Sequence, residues 1–186
     1  MLFRSLRRLS EAEQSTWFGL RLGATLAALA ANRGSAAIMQ PNRIILWDAI
    51  FDGALYRNEL RDAHLTSARL SYGARWAIEH PLHDALTVEA ESEALGFPLT
   101  PTLKSRLDAL TSSILGNVCA DRVVLLNGPN AHNADKFLST LRERNIAYDQ
   151  RLIKTAIEWA SNEAMSSSIV PPEVLSVIDS EMVGKT

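Results

Sequence analysis

The segment Gly19-Leu20-Arg21-Leu22-Gly23-Ala24 has the spacing of a turn that commonly carries a catalytic nucleophile. In a Gly-x-Ser-x-Gly turn, a strand passes directly into a helix. The turn is so tight that small residues are needed two positions before and two after its centre. Gly19, Gly23 and Ala24 satisfy this requirement, and the central residue is expected to take a strained backbone conformation above the sheet. Two glycines that only ease the packing of a strand on a helix would produce the same spacing.

Arg21 stands at the centre of this turn, where a nucleophile would be expected. Its guanidinium stays protonated and cannot attack a carbonyl carbon. Asp48 and Asp52 flank the end of a second apolar run, where α/β sheets place residues that face ligands. Pairing with them would neutralise Arg21 and hold the pocket closed, which is the favoured interpretation. In the alternative, Arg21 near a helix N-terminus binds a carboxylate or phosphate group, because both features favour anions.

The predicted ligand-binding residues are Arg21, Leu22, Asp48, Asp52 and His132. His132 would either face Arg21 as a pocket group or lie in an exposed loop, and the loop is the favoured place. The predicted ligand is a small anion or a protein partner.

Other clusters favour structural roles. His80, His83 and Asp84 suggest metal ligands, but the spacing differs from the helical pair of zinc proteases, and Pro81 breaks a helix there. Cys119 is the single cysteine, which excludes an intramolecular disulfide and a thiolate zinc site. No metal and no cofactor are predicted.

Strand-like and helical segments alternate around this turn. They predict a strand at 15–18, a helix at 22–31, strands at 43–47, 122–127 and 146–153, and helices at 134–144 and 173–182. A long helical pattern covers 57–77, Gly96-Phe97-Pro98 is a predicted turn, and Thr100 and Pro101 open a helix that runs to about Ser112. This order predicts an α/β fold with a parallel sheet and right-handed crossovers.

Residues 51–117 are too many for an ordinary connection between a strand and a helix. We predict that they form a helical cap over the carboxyl edge of the sheet. Residues 1–50 would then supply the elbow strand, the turn, the helix and the next strand, and residues 118–186 the C-terminal part of the α/β core.

The composition is that of a soluble globular protein, with 47% hydrophobic and 22% charged residues. The formal net charge of −2 provides no basic field for nucleic acid or anionic lipid. Met1–Ser10 is basic and amphipathic without an apolar signal region, and the segment Leu20–Ala31 is too short to span a bilayer. A cytoplasmic protein without membrane insertion is predicted.

Three segments resemble one family, the exosortase A system-associated hydrolase 2 group of α/β-hydrolase-like proteins. The run GLRLGATLAALAA resembles its degenerate elbow, and IILWDAIFDGALYRNELR resembles its "LW-x-P-x-x-x-G" loop, with Ala49 in place of the proline. The third segment, VEAESEALGFPLTPTLKSRLDAL, matches its "G-[YF]-x-L-[ST]-P-x-L" helix start from Gly96 to Leu103. The resemblance covers about residues 15–182, most loosely in the C-terminal third.

The resemblance implies an incomplete α/β-hydrolase-type sheet, in bacteria often encoded beside exopolysaccharide biosynthesis and protein-sorting genes. Such a domain places its acid just after the strand 122–127, where the first acid here is Asp135. Its histidine would follow the strand 146–153, but no histidine occurs beyond His132. With Arg21 at the nucleophile position, the triad lacks its nucleophile and its base, and we expect no serine hydrolase activity.

A full domain of this kind carries several strands before the elbow, whereas eighteen residues precede Gly19 here. The chain would then be a truncated product, or a homodimer or partner would cover the sheet edge near 15–18, which is otherwise an aggregation hazard. Three functional hypotheses stay open at this point. They are a non-catalytic binding protein, an esterase or acyl-transfer enzyme that uses a cap serine such as Ser67 or Ser71, and an inactive remnant.

Overall fold

The computed structural model describes residues 14–32, 40–79, 91–128, 134–154 and 170–182, with only the backbone of 71–79. These residues form two compact units. One unit, here called the sheet unit, contains 14–32, 40–51, 112–128, 134–154 and 170–182. The other, here called the helical unit, contains 52–79 and 91–111. The predictions for Met1–Ser10, for the histidine cluster at 80–84 and for His132 lie outside the described residues.

The sheet unit has a four-stranded parallel sheet with the order β1-β2-β5-β6. Its strands are β1 (Thr16–Leu20), β2 (Arg43–Trp47), β5 (Arg122–Asn127) and β6 (Ala147–Leu152). The two central strands are almost entirely buried, whereas the edge strands β1 and β6 carry exposed residues. Continuous apolar runs such as RIILW and RVVLLN are typical of strands that are covered on both faces. The predicted α/β fold with a parallel sheet is therefore confirmed.

Helices alternate with these strands in the sheet unit. They are α1 (Leu22–Asn32), the short α4 (Ser112–Leu115), α5 (Ala134–Glu143) and α6 (Pro172–Met182). The core combines Ala24 and Ala28 of α1 with Phe137 and Leu141 of α5 against the central strands. The alanines let α1 approach the sheet closely, because a helix of small residues needs little room. Asn145, with φ of 55°, ends the turn after α5 before β6 begins.

The helical unit contains the long helix α2 (Gly53–Glu79), the two-residue strands β3 (Glu93–Ala94) and β4 (Phe97–Pro98), and α3 (Pro101–Asp108). Thr100 caps α3, because its hydroxyl accepts the Leu103 amide at 3.2 Å, as predicted. The prediction that this helix runs to Ser112 is wrong. It ends at Asp108, and the Leu110 amide turns back to the Leu107 carbonyl at 2.8 Å.

The predicted turn at Gly96-Phe97-Pro98 is confirmed at Gly96 only, because Phe97 and Pro98 pair with β3 as a strand. The turn consists of Leu95 and Gly96, whose φ angles are 52° and 88°. Two successive positive φ angles are the signature of a type I′ hairpin, in which leucine is an unusual first residue. The buried His64 of α2 helps to hold it, since His64 Nδ1 accepts the Leu95 amide at 3.0 Å.

Candidate functional site

The turn between β1 and α1 has the geometry of a nucleophile elbow. Leu20 is the last residue of β1, Leu22 is the first of α1, and Arg21 alone connects them with φ of 50°. The Arg21 amide donates to the Trp47 carbonyl at 2.9 Å, which ties the turn to the end of β2. Its carbonyl accepts the Ala24 and Thr25 amides at 3.0 and 3.2 Å and so begins the helix. A non-glycine residue in the left-handed region is strained and is held there by its surroundings.

Gly19 makes this tight turn possible. A Cβ at Gly19 would lie 2.4 Å from the Ala24 Cα and 2.7 Å from the Ala24 nitrogen, far inside van der Waals contact. Gly23 differs from the expectation, because a Cβ there has no described atom within 4 Å. The sequence pattern therefore identified one sterically required glycine and one that faces open space. The small-residue requirement after the turn is met by Ala24, which is fully buried against β1.

Asp48 occupies the matching position after β2. Its φ is also 50°, and its amide donates to the Leu126 carbonyl at 2.7 Å. Since Leu20, Trp47 and Leu126 are in register, the residues that follow them lie side by side at the carboxyl edge of the sheet. Two neighbouring non-glycine residues thus share a left-handed backbone at one edge. Such outliers concentrate at functional sites.

The side chains of Arg21 and Asp48 form an ion pair at this edge. Arg21 Nη1 lies 3.5 Å from Asp48 Oδ2, and the two side chains are 23% and 15% exposed. This is the limit of a hydrogen bond and longer than a well-formed charged one. Arg21 and Asp48 are therefore in contact at this edge, and both side chains are half-buried.

Two residues support the loop that carries Asp48. Thr25 of α1 is fully buried; its hydroxyl donates to the Ile50 carbonyl at 2.9 Å and accepts the Ile50 amide at 3.0 Å. From the sequence, Thr25 was predicted only as part of a helix. A polar side chain four residues after the predicted strained turn is the signal that could have identified Thr25 as a support for the loop. The Ser112 hydroxyl donates to the Phe51 carbonyl at 3.3 Å.

Asn127 at the end of β5 is a further residue that the sequence patterns did not single out. It is 4% exposed, and its Oδ1 has no hydrogen-bond partner among the described residues. It directly follows Leu126, which accepts the Asp48 amide, so it belongs to the same edge. The signal that could have identified Asn127 is its place as the one polar residue directly after the apolar run VVLL. An unsatisfied buried amide costs free energy and is a group that a ligand could satisfy.

The remaining predicted residues have separate places. Leu22 begins α1 and is half-buried beside Arg21. Asp52 belongs to the helical unit, where its carboxylate accepts the Leu55 amide at 3.0 Å and caps α2. Cys119 is half-buried, with its thiol 3.8 Å from the Asn117 carbonyl.

Among the described residues, no three histidine, cysteine or acidic side chains lie close enough together to hold a metal ion. Within the same ranges, no helix has both the length and the apolar character needed to cross a membrane.

No family model matches the chain, and no curated protein matches it in sequence. Several solved structures show some likeness. A proline iminopeptidase from Mycobacterium smegmatis gives a TM-score of 0.48 at 13% sequence identity. The alignment covers 97% of this chain and 68% of the iminopeptidase chain. BpoC from Mycobacterium tuberculosis H37Rv, described as a non-heme bromoperoxidase, gives a TM-score of 0.49 at 13% sequence identity. The alignment covers 95% of this chain and 69% of the BpoC chain. The α/β hydrolase GrgF from Penicillium sp. sh18 gives a TM-score of 0.41 at 15% sequence identity. The alignment covers 88% of this chain and 61% of the GrgF chain. The fold is therefore described by the strand order and register of this chain.

Proposed function

We propose that this chain is a non-catalytic, α/β-hydrolase-like protein that binds a small anion at Arg21. The observation that carries the proposal is the left-handed Arg21 at the centre of a nucleophile elbow, beside the half-buried Asp48. A serine at this position would act as a nucleophile. An arginine presents a fixed positive charge and several N–H donors to the same place.

The surroundings of Arg21 favour an anion for two reasons. Arg21 immediately precedes the eleven-residue helix α1, whose first turn contains no acidic residue. The helix dipole adds partial positive charge there, and the first amides of a helix are natural donors to a carboxylate or phosphate. The contact between Arg21 and Asp48 is 3.5 Å long, at the limit of a hydrogen bond, so an anion that forms shorter charged hydrogen bonds to Arg21 would compete with it.

The resemblance to the exosortase A system-associated hydrolase 2 group supports the hydrolase-like part of this proposal. It also supports a link to bacterial exopolysaccharide and protein-sorting systems, where small sugar acids or sugar phosphates would be fitting ligands. The helical unit as a cap over the bound ligand stays a prediction.

A thermal-shift screen tests the proposal. We expect small carboxylates, such as acetate, to raise the melting temperature of the wild type, since a ligand that binds the native state stabilises it. The Arg21→Ala variant should lose this shift, whereas Arg106→Ala, which removes an exposed arginine from the helical unit, should keep it. Equal shifts in all three proteins would contradict binding at Arg21.

Restoring a serine provides a second test. We expect Arg21→Ser to show no esterase activity above background with p-nitrophenyl acetate, because the chain has no histidine after residue 132 to act as its base. Stoichiometric labelling of the wild type by a fluorophosphonate probe would contradict the non-catalytic proposal. It would support the alternative of a hydrolase with an unusual arrangement of catalytic residues.

A further inference from the structure

A second cluster of charges lies in the sheet unit, at the C-terminal helix α6. Glu181 of α6 is buried, with its side chain 8% exposed, and three arginines from three neighbouring strands surround its carboxylate. Arg43 Nε lies 3.3 Å from Oε2, Arg122 Nη2 lies 3.4 Å from Oε1, and Arg151 Nη2 lies 3.0 Å from the same Oε1. Arg43 also donates to the Glu181 carbonyl.

The cluster has more positive charge and more donors than its own acceptors can use. Asp149 is the second acid of the cluster. Its Oδ2 lies 2.8 Å from Arg151 Nε and 3.6 Å from Arg122 Nη2. Three positive charges therefore face two negative ones. The Nε atoms of Arg43 and Arg122 are buried without a hydrogen bond among the described residues, although Arg43 Nε is near Glu181. A single carboxylate offers two oxygens, whereas three guanidinium groups match the oxygens of a phosphate or sulfate much better.

We propose that Arg43, Arg122 and Arg151 form an oxyanion site of the phosphate class, which the chain's own Glu181 carboxylate occupies in this structure. With Glu181 withdrawn, three arginines and Asp149 leave two positive charges, which matches the charge of about −1.5 to −2 on a phosphate monoester. The arginine side chains are 26–41% exposed, so the cluster is accessible from solvent.

Phosphate would compete with Glu181 and loosen α6. The described part of this helix buries two residues, Val174 and Glu181, while Leu175 and Met182 are exposed. Val177 and Ile178 are half-buried, so the ion pairs of Glu181 add to a modest apolar contact.

Arg43 and Arg122 begin their strands, whereas Arg21 follows the end of β1. Arg151 on β6 is in register with Leu126, at the opposite edge of the sheet from β1. The cluster uses none of the elbow residues and does not rest on the function proposed for Arg21.

Calorimetric titration with inorganic phosphate, at an ionic strength matched with sodium chloride, tests the proposal. We expect Glu181→Gln to bind phosphate at least tenfold more tightly than the wild type, because the internal competitor has lost its charge. The matched control Asp179→Asn, an exposed acid on the same helix, should behave as the wild type does. Adding Arg122→Gln to Glu181→Gln should remove this gain in phosphate affinity, whereas adding Arg21→Ala should leave the gain in place.

Hydrogen exchange in the wild type provides a measurement that needs no variant. Phosphate should accelerate exchange of the Pro172–Met182 amides at least tenfold over sodium chloride of equal ionic strength, while the β5 amides stay unchanged. Equal phosphate affinity in Glu181→Gln and Asp179→Asn would overturn the proposal. Exchange of α6 that responds to phosphate and chloride alike would overturn it as well.

Discussion

Replacing Gly19 by alanine should destabilise the protein by about 2–3 kcal/mol or more, whereas replacing Gly23 by alanine should leave it as stable or slightly more stable. The added methyl at Gly19 would lie 2.4 Å from the Ala24 Cα and 2.8 Å from the Gly23 carbonyl oxygen. These are backbone atoms of a turn already fixed by hydrogen bonds, so the overlap cannot be relieved by a side-chain rotation.

Gly23 is the internal control for this prediction. It lies in the first turn of α1, and a Cβ added there would have no described atom within 4 Å. Alanine there gains about 0.5–1 kcal/mol of helix propensity over glycine. Urea unfolding followed by circular dichroism measures both variants. Equal losses of stability for the two would show that the turn does not have the tight geometry described for Arg21.

The substitution Gly53→Ala should have an effect at least as large in the helical unit. Gly53 begins α2, and a Cβ there would lie 1.7 Å from the Leu107 carbonyl oxygen and 2.6 Å from its carbonyl carbon. The Gly53 amide also donates to the Leu110 carbonyl at 3.1 Å, so α2 cannot move away without losing that bond. We expect a loss of about 3 kcal/mol or more from overpacking against backbone.

Hydrogen exchange resolved by residue measures this loss where it arises. Protection of the amides of α2 and α3 should fall strongly in Gly53→Ala. The exposed neighbour Ala54 provides the control, and Ala54→Ser should change protection by less than tenfold, as surface substitutions do. Unchanged protection in Gly53→Ala would show that α2 and the end of α3 are not packed as closely as described.

The two central strands of the sheet could be predicted because their sequence signals are local. The buried runs RIILW and RVVLLN became β2 and β5 with the predicted bounds, since a strand covered on both faces is apolar throughout. The helix start at Thr100 was also predictable, because a cap requires one hydroxyl and a few following residues. The strained elbow was expected at Arg21 from the glycine spacing, and its φ of 50° agrees with that expectation.

Features that depend on distant residues could not be predicted in this way. Asp48 has a left-handed backbone and donates its amide to Leu126, 78 residues later in the chain. The sequence near Asp48 contains no sign of this distant partner. The I′ turn at Leu95 lacks the usual Asn or Gly at its first position, so its hairpin was missed. The grouping of three arginines about Glu181 requires the strand order, which periodicity does not provide.

Anion affinity in Asp48→Asn, compared with the wild type and Arg21→Gln, tests the central claim most directly. With acetate as the probe and chloride holding the ionic strength constant, titration calorimetry should show Asp48→Asn binding up to about fivefold more tightly. A fivefold change in affinity corresponds to about 1 kcal/mol, a small contribution that fits the 3.5 Å contact between Arg21 and Asp48. Arg21→Gln should bind tenfold to a hundredfold more weakly, because a charged hydrogen bond contributes about 1.5–3 kcal/mol. Weaker binding in both variants, or no change in either, would contradict an anion site at Arg21 that Asp48 occupies in the unbound protein.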